Sequence, residues 1–283
     1  MKEFHSWRQR NFNRVSEYSW RVKSSEHEEK VRDELALHAV SIKLEDATTG
    51  IPEPLFASYP FEWDAEHYAR IIEFTKNNEV VLPNGEVRAA YTEGSYLAIF
   101  RQLTSGLIYA SDGAVTSFKL SHAREDALVN LIDEVQGPVL VAIFYRSEAQ
   151  DLLKRFGHRA KAFTGSTSPK ERNQIIDDWN ADKIPVLIAA PSAMGHGINL
   201  QKGASRTIVW YTHTFDWAQR AQFNARLVRS GQTKTISIVN LVGDAGIDRA
   251  VLQALDAKQE GERALLEILD IKHRFKAKEV DHA

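Results

Sequence analysis

The sequence predicts an α/β fold, a parallel sheet flanked by helices, preceded by a mostly helical N-terminal segment. Two observations carry this. From about residue 119 short apolar runs alternate with amphipathic helical stretches, the pattern of crossover connections in a parallel sheet. Among those runs, PVLVAIF is unbroken and bounded by Gly137-Pro138 and Ser147, which suits a strand buried on both faces. Residues 1–118 lack this alternation, so the chain divides into 1–118, an accessory segment, and 119–283, the α/β lobe.

In the first segment, Ser25 with Glu28 forms a capping-box pattern ahead of EEKVRDELALHAV. The three prolines of TTGIPEPLFASYPFEW argue for extended backbone. Asp64 can cap AEHYARIIEFTKN, and Gly106 is a stop for the helix around SYLAIFRQL.

In the second segment, LSHAREDALVNLIDEVQ carries Leu128, Leu131, Ile132 and Val135 at helical spacing. After PVLVAIF comes SEAQDLLKRF, a helix with Ser147 and Gln150 at capping-box spacing, then the short strand RAKAF. SPKERNQIIDDWN begins with Ser168 as N-cap and Pro169 at the first helical position. PVLIAA, RTIVWY and KTISIVNLV are further strands, with a helix through DWAQRAQFNARLV between the last two. Ligands on such sheets gather at the carboxyl ends of the strands, so the loops after residues 144, 164, 190 and 211 are the places to look.

Composition narrows the function classes. With 43% hydrophobic and 26% charged residues in 283, the chain has material for a core. No run approaches the roughly 20 apolar residues of a membrane span, and MKEFHSWRQR has no apolar signal region. There is no cysteine, which removes disulfides and thiolate metal sites. A soluble, cytoplasmic protein with no membrane partner is expected. Net charge is −2, less basic than a dedicated DNA-binding domain, but Lys2, Arg8, Arg10, Arg14, Arg21 and Lys23 crowd the first 23 residues against only Glu3 and Glu17. With Trp7, Phe12, Tyr18 and Trp20 interleaved, this arm could clamp nucleic acid or dock on a neighbouring lobe.

Three patterns could carry chemistry. On a continuous helix Gln222, Arg226 and Arg229 would share an arc of roughly 60°, with Trp217, Ala221 and Val228 on another. That arc is either a solvated basic face or a phosphate site, for which the guanidinium fork is suited. In APSAMGHGINLQ, Gly195 and Gly197 permit close backbone approach and Asn199 and Gln201 flank Leu200; a tight structural turn reads equally well. In FTGSTSPKER, Thr164, Gly165, Ser166 and Thr167 could hold a nucleic-acid phosphate, or could merely precede the Ser168 cap.

In this order the pieces resemble the motifs of the second RecA-like lobe of superfamily-two helicases, and within them the Swi/Snf family in its bacterial and phage branch. PVLVAIFYRSEAQDLL is similar to motif IV, and AFTGSTSPKERNQIIDDWN to the Gly-Ser motif that follows it. VLIAAPSAMGHGINLQ is similar to motif V, and DWAQRAQFNARLVRSGQTK to motif VI. The resemblance covers about residues 119–260 and implies a RecA-like fold in this region. It implies catalytic roles for Arg226 and Arg229, with Arg229 the arginine finger. It also implies ATP contacts from Gln222, Gly197, Asn199 and Gln232, and contacts to the DNA backbone from Thr164, Gly165 and Ser166. Thr164 stands where relatives often have an acidic residue, and Ala190-Pro191 where many have Ser-Thr; Ser192 could substitute as the phosphate contact.

A complete motor also needs a phosphate loop and an acidic magnesium box. None of the 15 glycines is followed by lysine, so GxxxxGK[ST] does not occur in this sequence. Asp133-Glu134 imitates an acidic box but sits on helical spacing. The resemblance therefore implies half of a DNA-dependent ATPase, bearing ATP and Mg2+ only when completed by a first lobe on another chain. The alternative is a non-catalytic DNA- or protein-binding regulator. None of the ten histidines is assigned to a metal.

Overall fold

The computed structural model describes residues 2–15, 20–36, 51–112, 116–195 and 197–256. It divides into two compact units, Met1–Thr49 and Gly50–Ala283.

The first unit opens with helix α1 (Lys2–Asn11), continues through an antiparallel hairpin of β1 (Phe12–Arg14) and β2 (Trp20–Val22), and reaches α2 (Ser25–Ala36). Trp7 packs on Phe12 at 5.6 Å, and the Arg8 guanidinium lies 4.2 Å from the centre of the Trp20 ring. These rings and this cation are thus already engaged with one another within the unit. Ser24, one residue before the expected cap, caps α2: its hydroxyl accepts from the His27 amide and its carbonyl from that of Glu28. Tyr18 and the expected continuation of this helix past Ala36 lie outside the described residues.

The second unit begins with β3 (Leu55–Phe61), α3 (Ala65–Asn77), the hairpin β4 (Glu79–Val81) and β5 (Val87–Ala89), and α4 (Glu93–Leu103). A further antiparallel pair, β6 (Leu107–Tyr109) and β7 (Ser117–Lys119), leads to α5 (Ala123–Glu134). Then strands and helices alternate: β8 (Val139–Ala142), α6 (Arg146–Phe156), β9 (Ala160–Phe163), α7 (Pro169–Asn180), β10 (Val186–Ala189), β11 (Thr207–Trp210), α8 (Trp217–Asn224), β12 (Ser237–Gly243) and α9 (Ile247–Asp256). Asp133 and Glu134 close helix α5, as their spacing predicted.

Six of the strands form one parallel sheet in the order β3-β12-β11-β8-β10-β9. The strands of the central region are apolar throughout because both faces are covered. Val139 and Val141 join Leu128, Leu131, Leu152 and Phe156 on one side; Leu140 and Ala142 join Ile175, Trp179, Phe223 and Leu227 on the other. A third cluster, with Trp63, Phe74, Tyr96, Phe100 and Val251, unites α3, α4 and α9.

One strand comes from ahead of residue 119. β3 pairs with β12 along all seven residues, Leu55 with Ser237 through Phe61 with Gly243. The prolines do make this stretch extended, but its place is in the lobe's sheet. The compact unit holding the sheet accordingly starts at Gly50, and a boundary at 118/119 would cut through it.

Candidate functional site

Because all six strands run the same way, the loops after β8, β9, β10 and β11 open along one edge of the sheet. β8 and β11 are neighbours although β9 and β10 intervene in sequence, so the chain reverses its direction of travel between them. Tyr211, just past β11, donates its amide to Ala142 at the end of β8 at 3.0 Å.

The loop after β9 is a closed turn. Thr164 donates its amide to the Thr167 hydroxyl at 2.9 Å, and the Thr167 amide donates to the Thr164 carbonyl at 3.1 Å. From α7, Arg172 donates to the carbonyls of Thr167 (2.9 Å) and Thr164 (3.3 Å). Ser168 caps α7 by accepting from the Glu171 amide at 3.3 Å. The hydroxyls of Thr164 and Ser166 are left to meet each other at 3.0 Å. Gly165 and Ser166 are exposed, and space is open beside Gly165. These three residues line a cleft of about 220 Å³ together with Ile143, Phe144, Tyr145, Arg146 and Ala190. Ser192, exposed on a short 3-10 turn (Pro191–Ala193), lies outside that lining.

The stretch 217–232 departs from expectation. The helix stops at Asn224, and residues 225–231 form turns, so Gln222, Arg226 and Arg229 do not share a helical arc. The reason is tertiary. The Asn224 side chain accepts from Trp210 Nε1 at 3.0 Å, and Arg226 is drawn inward to the carbonyls of Ile198 (3.2 Å) and Met194 (3.4 Å). Trp217, expected on the apolar face, is 47% exposed, while Phe223 and Leu227 are buried in its place. Gln222 is exposed; Arg226 is buried; Arg229 is half-buried. Among the described residues the Arg229 guanidinium makes no hydrogen bond or ion pair. Burial, and secondly the charge of Arg229, lower the Arg226 pKa from its ordinary value.

Gly197 has φ +90°, a conformation that side chains resist, and it is exposed between Met194 and Ile198, whose carbonyls Arg226 braces. The carbonyl of Asn199 accepts from Asn180 Nδ2 at 2.9 Å. Gln232 is buried, with its amide N–H on the Arg229 carbonyl at 3.0 Å. Among the described residues, the buried Asn199 Oδ1, Gln201 Oε1, Arg226 Nε and Gln232 Nε2 lack a hydrogen-bond partner.

Residues 123–231 match the model of the helicase conserved C-terminal domain. Protein p41 of Acyrthosiphon pisum secondary endosymbiont phage 1 is 28% identical over 247 residues, which is 83% of this chain and 50% of that protein. Helicase swr1 of Schizosaccharomyces pombe is 31% identical over 135 residues, 46% of this chain and 10% of the relative. The chain thus spans half or less of the length of these relatives. In fold, the C-terminal part of the Fun30 ATPase domain superposes with a TM-score of 0.60 at 17% identity, covering 82% of this chain and 99% of that one. The Sulfolobus solfataricus SWI2/SNF2 ATPase core, solved with dsDNA, gives 0.52 at 15% identity over 83% of this chain and 51% of that one. Residues 123–231 are thus similar to helicase C-terminal domains, and the fold is the RecA-like one of these solved lobes.

Within this fold, the sequence pattern missed the residues that hold the loops in place. Glu148 accepts from the amides of Phe144 (2.9 Å) and Tyr145 (2.8 Å) and from the Thr212 hydroxyl. The helix therefore starts at Arg146 with a cap built on Glu148, and the expected Ser147–Gln150 capping box does not form. Burial pushes the Glu148 carboxyl up, against the pull of those three donors. Arg124 donates to the carbonyls of Tyr211 (2.5 Å) and Thr104 (2.7 Å) and to Asp248 (2.6 Å), fastening α5, α4 and α9 around the end of β11. A buried charge with no partner would be costly, and Asp248 is the signal that could have revealed it, but it lies 124 residues away.

Among the described residues the Arg229 guanidinium thus stands unpartnered near the buried, unsatisfied Asn199 Oδ1, Arg226 Nε and Gln232 Nε2. Among the described residues no three His, Cys, Asp or Glu side chains gather where they could hold a metal ion, and no helix is long and apolar enough to cross a membrane.

Proposed function

We propose that this chain is the second motor lobe of an ATP-dependent DNA translocase, supplying the arginine finger and part of the grip on the DNA backbone. A first lobe on another chain would supply the phosphate loop and magnesium ligands. The observation that carries the reading is the contrast between two arginines three residues apart. Arg226 spends its guanidinium on the carbonyls of Met194 and Ile198, whereas Arg229 spends its on nothing among the described residues. A half-buried cation next to a second one is electrostatically costly, and an incoming triphosphate would relieve that cost.

On this reading Arg229 is the catalytic residue, and Arg226 is a positioning residue that holds the 194–198 loop against the turn carrying it. Gln232, buried just beyond Gly231 at φ +91°, fixes the far end of that turn. Gln222, exposed on α8, is free to meet the nucleotide or the first lobe, and Gly197 and Asn199 line the approach. When bound, ATP with magnesium supplies the phosphoryl group whose transfer to water drives the motor. Arg229 would stabilise the charge that develops on that group, an effect worth roughly 10³–10⁵ in rate. Thr164, Gly165 and Ser166, with Ser192 as an outlying contact, would hold phosphates of the tracked strand. The SWI2/SNF2 core solved with dsDNA supports DNA as the track.

The test is ATP turnover by the chain mixed with candidate chains that carry a phosphate loop and an acidic box. In the pair that turns over, Arg229→Ala should remove nearly all activity, and Arg229→Lys should not restore it. Turnover that survives Arg229→Ala would refute the finger assignment.

A further inference from the structure

The cleft beside Thr164 contains an exposed aromatic ring that phosphate binding does not require. Phe144 lines it and is 45% exposed, in the loop that directly follows a strand with no exposed residue. Its ring is held as if to be used. The Arg101 guanidinium lies 3.6 Å from the ring centre and covers one face; Tyr145 packs against it edge-on at 5.1 Å. Arg101 in turn is anchored on the His213 carbonyl and lies 5.2 Å from the Phe215 ring. With Arg101 over the ring, the exposed Phe144 borders the cleft where Arg146, Gly165 and the hydroxyls of Thr164 and Ser166 are gathered.

We infer that Phe144 is a stacking platform for an unpaired base, whose adjoining phosphate is held by Arg146 and the Thr164 and Ser166 hydroxyls. An aromatic face beside a cationic and hydroxyl-bearing cleft is how single strands are held without regard to sequence. In an intact duplex the base faces are covered by one another, so the ring would find no partner there. The lobe would therefore favour a single strand, or a duplex presenting an unpaired end, over a blunt duplex. This inference rests on the reading that the cleft holds the nucleic-acid backbone.

The experiment uses the full 283-residue chain, titrated into a single-stranded oligonucleotide containing 2-aminopurine and into a labelled blunt duplex. The expected result is quenched 2-aminopurine emission on binding. Phe144→Leu should abolish the quenching and lower single-strand affinity by about tenfold, the loss of one base stack. Blunt-duplex affinity and the dependence of affinity on salt should be unchanged in that variant, and Phe144→Trp should bind like the original. Arg146→Ala should instead reduce the salt slope on single strands by about 0.7, the signature of one phosphate contact. If Phe144→Leu weakens both substrates equally, or neither, while Arg146→Ala still lowers the salt slope, the stacking role is overturned and the backbone cleft stands. If neither substrate binds, or Arg146→Ala and Thr164→Ala leave binding unchanged, the cleft reading fails and the stacking role fails with it.

Discussion

Trp179, near the end of α7, donates its indole Nε1–H to the carbonyl of Leu200 at 3.0 Å. Both residues are buried. The bond joins the helix that follows the Thr164 loop to the segment that carries Asn199, so the two loops share one rigid junction. Trp179→Phe keeps the packing but leaves a buried carbonyl without its donor. Urea denaturation should show a loss of about 1–3 kcal/mol. A loss below a few tenths would mean that water takes over the bond and the junction is softer than described.

The same junction constrains Gly203. A Cβ there would come within 2.6 Å of Asp182 Oδ1 and 3.0 Å of the Trp179 carbonyl, and Asp182 is already engaged by the Ala204 amide at 2.6 Å. Gly203→Ala should destabilise the lobe by roughly 1–3 kcal/mol through overpacking, read as a lowered midpoint of thermal unfolding.

Arg226 and Arg229 should separate stability from function. Removing the Arg226 guanidinium leaves the carbonyls of Ile198 and Met194 without it, so Arg226→Met is expected to cost about 1–3 kcal/mol. Arg229→Met removes a group with no partner among the described residues and should stay within about 0.5 kcal/mol of the original. Equal losses in the two variants, measured by denaturant unfolding, would contradict the division of roles.

His213 gives the lobe a pH dependence. Burial drives its pKa from 6.5 to about 4, with Arg220 and Arg124 acting in the same direction and Asp248, 3.9 Å away, opposing. Its Nε2–H donates to the Leu241 carbonyl at 2.9 Å. Between about pH 6.5 and 4 the unfolded chain gains a proton that the native imidazole refuses. Stability from this residue is therefore full above pH 6.5 and falls on acidification, by roughly 3 kcal/mol in all. Glu148, whose carboxyl is raised, acts oppositely: its contribution is present at acid pH and weakens as pH rises past the unfolded carboxylate range. Comparing the chain with its His213→Gln variant isolates the histidine. The variant should lose less stability than the original between pH 7 and 4.5; parallel profiles would mean His213 is protonated in the native state.

Much of the lobe could be read directly because its signals are local. The runs that became β8 to β12 are apolar and bounded by turn residues, and Ser168-Pro169 starts α7 where its chemistry requires. The misreadings have long-range causes. β3 contains Pro60, exposes Leu55 and Phe56, and finds its partner β12 some 180 residues later, so nothing nearby marks it as part of the sheet. The helical period of QFNARLV continues past Asn224, but Trp210 claims the Asn224 side chain and two carbonyls claim Arg226. Tertiary bonds there outweigh propensity. Phe144 reads as the last residue of an apolar strand, and only the loop geometry shows it bordering the cleft.

On the function proposed above, this lobe brings the finger and not the phosphate site. The most direct measurement is ATP hydrolysis by the purified chain, with and without duplex DNA. No turnover is expected in either condition, because the sequence contains no GxxxxGK[ST] loop. DNA-stimulated hydrolysis that disappears in Arg229→Ala, and so belongs to this chain and not to a contaminant, would contradict it.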